Sequence, residues 1–270
     1  MTRYFLAIPG IGFLFCLLLS PSLAQTAPDT ASPQAPSASA TPAQSAPLST
    51  EDLARLYLVR KEYREAEDLF RNLTVKEPRN AVYWNELGIS LHNQMQLTAA
   101  MKCYEKSAAL DAHYADPVNN MGTVWYERKK YAKAIRTYKR AIGIKDSFAP
   151  FYLNLGYAYF GEKNYEESIA AFHKGLQVDP DAFDMSKSRS GTVIQDRSLS
   201  SDRGLFYFLL AKSFAQSGDV ERCLVYLRKS RDEGYKDLQA AKSDPAFAGV
   251  LKNPEVQEVL EPKPPETVQP

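Results

Sequence analysis

Tyr57, Leu91, Trp125 and Tyr159 stand thirty-four residues apart, and the residues around them recur with the same step. No other feature constrains the fold of this chain as tightly. Blocks that begin at Pro47, Ala81, Ala115 and Ala149 carry a small residue in eighth place: Ala54, Gly88, Gly122 and Gly156. The eleventh place holds the four large residues just named, and the seventeenth holds Tyr63, Leu97, Tyr131 and Tyr165. The twentieth is small again, at Ala66, Ala100, Ala134 and Ser168, and the twenty-fourth is aromatic, at Phe70, Tyr104, Tyr138 and Phe172. Apolar spacings of three and four within each half predict two amphipathic helices per block. Small residues in both halves let the two backbones approach, and the large residues fill the space between one pair and the next. Pro78 and Pro180 end the second helices of their blocks. A single pair cannot bury its apolar faces, so the pattern demands a stack.

These residues resemble the tetratricopeptide repeat. Trp84-Asn85-Glu86-Leu87-Gly88 with Leu91 fits its first helix, and Ala66 with Phe70 and Pro78 fits its second. The chain departs from the pattern at Thr50 and Val118, where an aromatic is usual, and at Ala112 and Asp146, where the closing proline is missing. A fifth block starts at Gly204, with Tyr207, Leu210, Ala211, Phe214, Cys223 and Leu227 in register. The resemblance implies an all-α superhelix of about five helix pairs. Ser243-Asp244-Pro245 and Asn253-Pro254 are helix starts of the cap-plus-proline type. They predict short closing helices over residues 245–251 and 254–260.

Residues outside the blocks read differently. Residues 5–19 are almost wholly apolar behind Arg3, and Ser22-Leu23-Ala24 offers a small-residue cleavage site. Residues 1–24 are therefore expected to be an export signal, giving a periplasmic or secreted protein. The alternative is an uncleaved membrane anchor, because the apolar run approaches the ~20 residues of a span. Residues 25–49 are rich in Pro, Ala, Ser and Thr and have one charge, Asp29, so a disordered linker is expected. The tail 261–270, with four prolines, is read the same way. The four repeats occupy 50–182, an insertion 183–203, and the fifth pair with the closing helices 204–260.

Chemistry has little support. The chain carries 33 basic and 32 acidic residues, which argues against nucleic acid as a partner. His92, His113 and His173 occupy unrelated repeat positions, and no Cys-x-x-Cys or His-x-x-x-His pair occurs, so neither a metal nor another cofactor is expected. Cys103 and Cys223 fall in different blocks and read as small buried hydrophobes. The chain is expected not to be an enzyme.

A protein or peptide partner is expected instead. The resemblance implies that the first helices line a concave groove, and it places Asn85, Asn119, Asn120 and Asn154 there as an amide ladder. Amides offer both a donor and an acceptor to an extended backbone. Tyr126, Tyr157 and Phe160 add aromatic area of the kind that anchors partners. The other reading of the same residues is packing between repeats. Two segments stay open. Arg128, Lys129, Lys130, Lys133, Arg136, Lys139 and Arg140 make the third block basic, either a solvated face or a site for an acidic partner or anionic headgroup. The insertion is either a spacer or a functional loop through which an accessory enzymatic role could act.

Overall fold

The computed structural model describes residues 48–183 and 202–261. The expected export signal, almost all of the linker, the body of the insertion and nearly the whole tail lie outside the described residues. What is described is helical. The first four pairs are α1 (Thr50–Val59) with α2 (Tyr63–Lys76), α3 (Ala81–Asn93) with α4 (Leu97–Leu110), α5 (Ala115–Glu127) with α6 (Tyr131–Ile144), and α7 (Ala149–Gly161) with α8 (Tyr165–Val178). The fifth is α9 (Arg203–Gln216) with α10 (Val220–Asp232). The expected thirty-four-residue register is the one observed. Each second helix packs between its own first helix and the first helix of the next pair.

In the second, third and fourth pairs a bare backbone at the eighth position brings the two helices together; the first and fifth pairs use Ala54 and Ala211 there. A Cβ placed on Gly122 would lie 2.5 Å from Cε1 of Tyr138, and one on Gly88 would lie 2.5 Å from Cε1 of Tyr104. Gly156 meets the ring of Phe172 in the same way. These rings are fully buried, and the Tyr138 hydroxyl donates to Thr123 Oγ1 at 3.1 Å, so the ring has nowhere to go. Where the twentieth position is Ser168, its hydroxyl donates to the carbonyl of Gly156 at 2.9 Å. The close approach is thereby bonded as well as packed.

The turn inside each pair repeats too. Lys61, Met95, Lys129 and Lys163 all have positive φ, between 56° and 64°, and Gly218 does the same in the fifth pair. The following amide closes on the carbonyl of the eleventh residue: Glu62 on Tyr57, Gln96 on Leu91, Lys130 on Trp125, Asn164 on Tyr159 and Asp219 on Phe214. This is the six-to-one bond of a Schellman ending. Glycine suits the left-handed residue, yet four of the five turns hold it with a long side chain. That absence of glycine hides the turns from a sequence reading.

The C-terminal end is closed differently from the expectation. The residues after α10 form two short 3-10 turns, Leu238–Lys242 and Pro245–Phe247, and one helix, α11 (Pro254–Val259). The cap signals work as read: Asp244 Oδ1 accepts from the Ala246 amide at 2.9 Å, and Asn253 Oδ1 from the Glu255 amide at 2.8 Å. The first cap starts only three residues of helix, because Phe247 turns inward to pack against Phe208 of α9. Phe247, Val256, Val259 and Leu260 cover the apolar side that the fifth pair would otherwise expose. The insertion is pinned at its start. Phe183 sits edge-on to Phe172 and to Phe214, and Arg222 of α10 bonds the carbonyl of Pro180.

Gly122→Ala is expected to lower stability by about 1–3 kcal/mol in chemical denaturation, because the added methyl group overlaps a ring that cannot move. Gly122→Leu should unfold the third pair and weaken its neighbours. Wild-type melting of both variants would contradict the contact.

Candidate functional site

The first helices of adjacent pairs touch, α3 with α5 and α5 with α7, and among the described residues the second helices show no comparable contact. The face built by the first helices is therefore the crowded one. The fifth and sixth positions of each repeat meet there. Asn120 Nδ2 donates to Asn85 Oδ1, and Asn154 Nδ2 donates to Asn119 Oδ1, both at 3.0 Å and both across thirty-five residues of sequence. Asn119 Nδ2 reaches Asn120 Oδ1 at 3.4 Å, and Asn85 Nδ2 donates to the Tyr114 hydroxyl at 3.0 Å. The four amides form one continuous ladder from α7 to α3, ending on Tyr114.

The amides bond one another across the repeats, and the members of the ladder are enclosed. Exposure runs from 0% for Asn154 through 2–4% for Asn85, Asn119, Asn120 and Tyr126 to 5% for Phe160 and 7% for Tyr157. Tyr157 stacks on Phe206 of α9, with ring centres 5.2 Å apart, and stands edge-on to Phe172. Phe160 meets Phe206 and Tyr165, and Tyr126 meets Tyr131. In the chain by itself the four amides, Tyr157 and Phe160 join one repeat to the next, and Tyr126 packs on Tyr131 within its own pair. Their use by a partner would require the first helices to part or the partner to touch only their edges.

The same two positions change character along the stack. Where α7 meets α9 they are Leu153 and Leu209, both buried. Where α1 meets α3 they are Glu51 and Glu86. Two carboxylates replace two amides: Glu51 pairs with Arg55 at 2.8 Å, and its charge disfavours that of Glu86. Burial pushes the Glu86 carboxyl above the usual range, and Asp116 and Glu51 push the same way against the pull of Arg55. Asp116 at the start of α5 is also raised, by burial, with Lys145 opposing. Glu51 accepts from the Tyr83 hydroxyl at 2.7 Å, and that bond heads the causes that push the tyrosine up to about 12. The two helices that carry this acidic pair also carry open and partly apolar surface. Val59 is 79% exposed, Leu58 and Ile89 are half-buried, and Arg55 is exposed beside Glu51.

The sequence pattern puts Glu86 on the groove side without singling it out. The signal was present: Glu51 and Glu86 occupy the very positions at which the other junctions place asparagine. What the sequence could not supply is that the fifth position of one repeat bonds the sixth of the next.

His92 and the two cysteines are packed into the helix pairs. His92 is held by the Tyr104 hydroxyl at 3.2 Å and by Glu127 of α5 at 2.9 Å, another junction between pairs. Cys103 and Cys223 are buried and free, and burial pushes their thiols up to about 11 and about 12. Neither is a ready nucleophile. Among the described residues no group of three or more His, Cys, Asp or Glu could hold a metal ion, and no helix is long and apolar enough to cross a membrane.

Asn120→Ala removes the donor to Asn85 and the acceptor for Asn119 in a buried place. A loss of about 1–3 kcal/mol is expected in denaturant unfolding. Combining it with Asn85→Ala should cost less than the sum of the single changes, since both break the same bond.

Tetratricopeptide-repeat family models match residues 51–115, 122–163 and 149–182. No curated protein matches the chain. Solved structures similar to it include MamA from Desulfovibrio magneticus RS-1, at 18% identity over 70% of this chain and 95% of that one, with a TM-score of 0.47. TTC0263, a thermophilic TPR protein of Thermus thermophilus, is 14% identical over 75% of this chain and all of its own, with a TM-score of 0.48. YrrB, described as a TPR protein with an unusual peptide-binding site, is 15% identical over 72% and 91%, with a TM-score of 0.45. The matched models, together with a register that places the same small and large residues at the same places in pair after pair, show that this chain carries tetratricopeptide repeats over residues 51–115 and 122–182.

Proposed function

We propose that the chain is an exported scaffold of the cell envelope that holds an extended segment of a partner protein along the face of its first helices, starting from the acidic end. Tetratricopeptide arrays are in general non-enzymatic protein-interaction modules, and a stack of helix pairs offers a long face rather than a closed pocket. One observation carries the finer reading. The amide ladder of α3, α5 and α7 gives way, at α1 and α3, to Glu51 and Glu86 with Asp116 alongside, two of them with raised carboxyls, on helices that also carry exposed apolar surface. A carboxylate drawn out of water beside other carboxylates is a cost to the free chain, and Arg55, already paired with Glu51, offsets it only in part. A lysine or arginine from a partner removes that cost. The segment that fits is extended, carries a basic residue for Glu86, and carries apolar residues for Val59, Leu58 and Ile89. Export is supported by the apolar run and small-residue site of residues 1–24.

Glu86→Gln separates this reading from a structural one, because its two effects have opposite signs. Folding holds the Glu86 proton more tightly than the unfolded chain does. Its burial therefore costs stability as pH rises from the ordinary carboxylate range through the raised value, and costs nothing below that range. The variant should be as stable as the wild type in acid and more stable at neutral pH. A partner captured by crosslinking in the native envelope should nevertheless bind the variant about tenfold more weakly or worse. Its affinity for the wild type should climb with pH through the same window and then level off. A stabilised variant that binds that partner as tightly as the wild type would remove the acidic end from the site.

The export half of the reading is checked separately. Mass spectrometry of the native protein should find a mature chain beginning at Gln25. A retained residue 1–24 segment would replace export by anchoring.

A further inference from the structure

The third pair carries a face that the partner groove does not use. From Arg128 to Lys145 the sequence contains no carboxylate, whereas α2, α4, α8 and α10 each carry at least one. Folding sorts its cations onto one side. Ala134, Ile135, Tyr138 and Ala141 form the buried stripe of α6, and Lys133, Arg136, Lys139 and Arg140 lie opposite, all exposed. At a hundred degrees per residue these four occupy about a third of the helix circumference. Ala132 and Gly143 share that side and are also exposed, so no bulky neutral side chain stands between the cations. Lys129 and Lys130 extend the face through the turn before α6.

Four of these cations lie over rings. Among the described residues none of the seven forms an ion pair. Arg128, Lys130 and Lys133 lie 5.7, 5.6 and 4.7 Å from the centre of the Trp125 ring, and Lys139 lies 5.4 Å from that of Tyr159. Arg128 also donates to Thr98 Oγ1 at 3.0 Å. A cation over a ring keeps its full charge and orders its long stem, so the face is positioned without being neutralised.

We infer that this face adsorbs the chain to an anionic lipid surface through phosphate headgroups. The chemistry of the face separates this from its alternatives. A protein partner needs a desolvated aromatic or aliphatic anchor at the centre of its interface, and lysine is depleted there. None of the large hydrophobic side chains exposed among the described residues, Leu48, Val59, Val75, Met95 and Val225, falls in this segment. Single-stranded nucleic acid needs open rings on which bases stack, and Trp125 already has three cations over it. A charged bilayer needs neither, only several cations presented together. Each contributes about a fivefold gain in adsorption that fades as salt rises.

The test uses the full chain and vesicles of phosphatidylcholine, either alone or with roughly one-third phosphatidylglycerol. The wild type is expected to co-sediment with the anionic vesicles in low salt and to be released in high salt. The triple change Lys133→Glu, Arg136→Glu, Arg140→Glu should weaken this at least about tenfold. The change Lys102→Glu, Lys106→Glu on α4 should leave it nearly intact. A second readout separates the face from the N-terminal segment. The chain has two tryptophans, Trp84 and Trp125, so Trp84→Phe leaves Trp125 alone as a reporter. Its emission should shift on anionic vesicles and stay constant on neutral ones. The inference is overturned if the triple variant binds as well as the wild type, if the two vesicle types bind equally, or if Trp125 emission does not move. It is also overturned if the face binds polyglutamate or single-stranded DNA while ignoring anionic vesicles, which would assign it to an acidic protein or a nucleic acid.

Discussion

The middle three pairs of this stack depend on the edge of an aromatic ring pressed against a backbone that has no side chain. Gly88, Gly122 and Gly156 each receive the ring of the residue sixteen places later, at distances that leave no room for a methyl group. That contact sets the spacing of the two helices in a pair. The spacing in turn decides how far the next first helix sits, because each second helix is sandwiched between two first helices. A change at one glycine is therefore felt beyond its own pair, as expected for a core that exists only between neighbours.

With the spacing set, the junctions are differentiated by chemistry rather than geometry. The same two positions hold carboxylates between α1 and α3, amides between α3, α5 and α7, and leucines between α7 and α9. The apolar end is the most enclosed, and there Tyr157, Phe160, Phe172 and Phe206 form a connected set of edge-on and stacked rings. The middle is bonded. The acidic end is frustrated, in the sense that its like charges are brought together by the packing of everything else. Such local conflict is where a scaffold of this kind can gain from a partner, since the partner supplies what the fold lacks.

The outer side of α6 obeys a different logic. A helix in a packed stack needs only its inner stripe, so its outer side is free to carry any composition that remains soluble. On α6 that freedom is used for one sign of charge. The overall balance of 33 basic and 32 acidic residues conceals it, because the compensating acids lie on other helices. Net charge is a property of composition, whereas a field is a property of placement.

The sequence by itself determined the periodicity, and through it the number of helix pairs, their register and the close glycine–ring contact, because a thirty-four-residue repeat of small and large residues has few other ways to bury its apolar faces. It also determined where the closing turns begin, since Asp244 and Asn253 cap their own downstream amides whatever lies nearby. It placed the asparagines on one face. It did not decide whether they face a partner or each other, because position within a repeat names a direction and not a neighbour. Only the tertiary structure decided that, by bringing the fifth position of one repeat against the sixth of the next and closing Tyr126, Tyr157 and Phe160 between helices. The same placement turned Glu51 and Glu86 into a partly buried like-charge pair and stopped the first closing helix at Phe247. Each of these outcomes comes from distances between residues far apart in the chain, which no local pattern records.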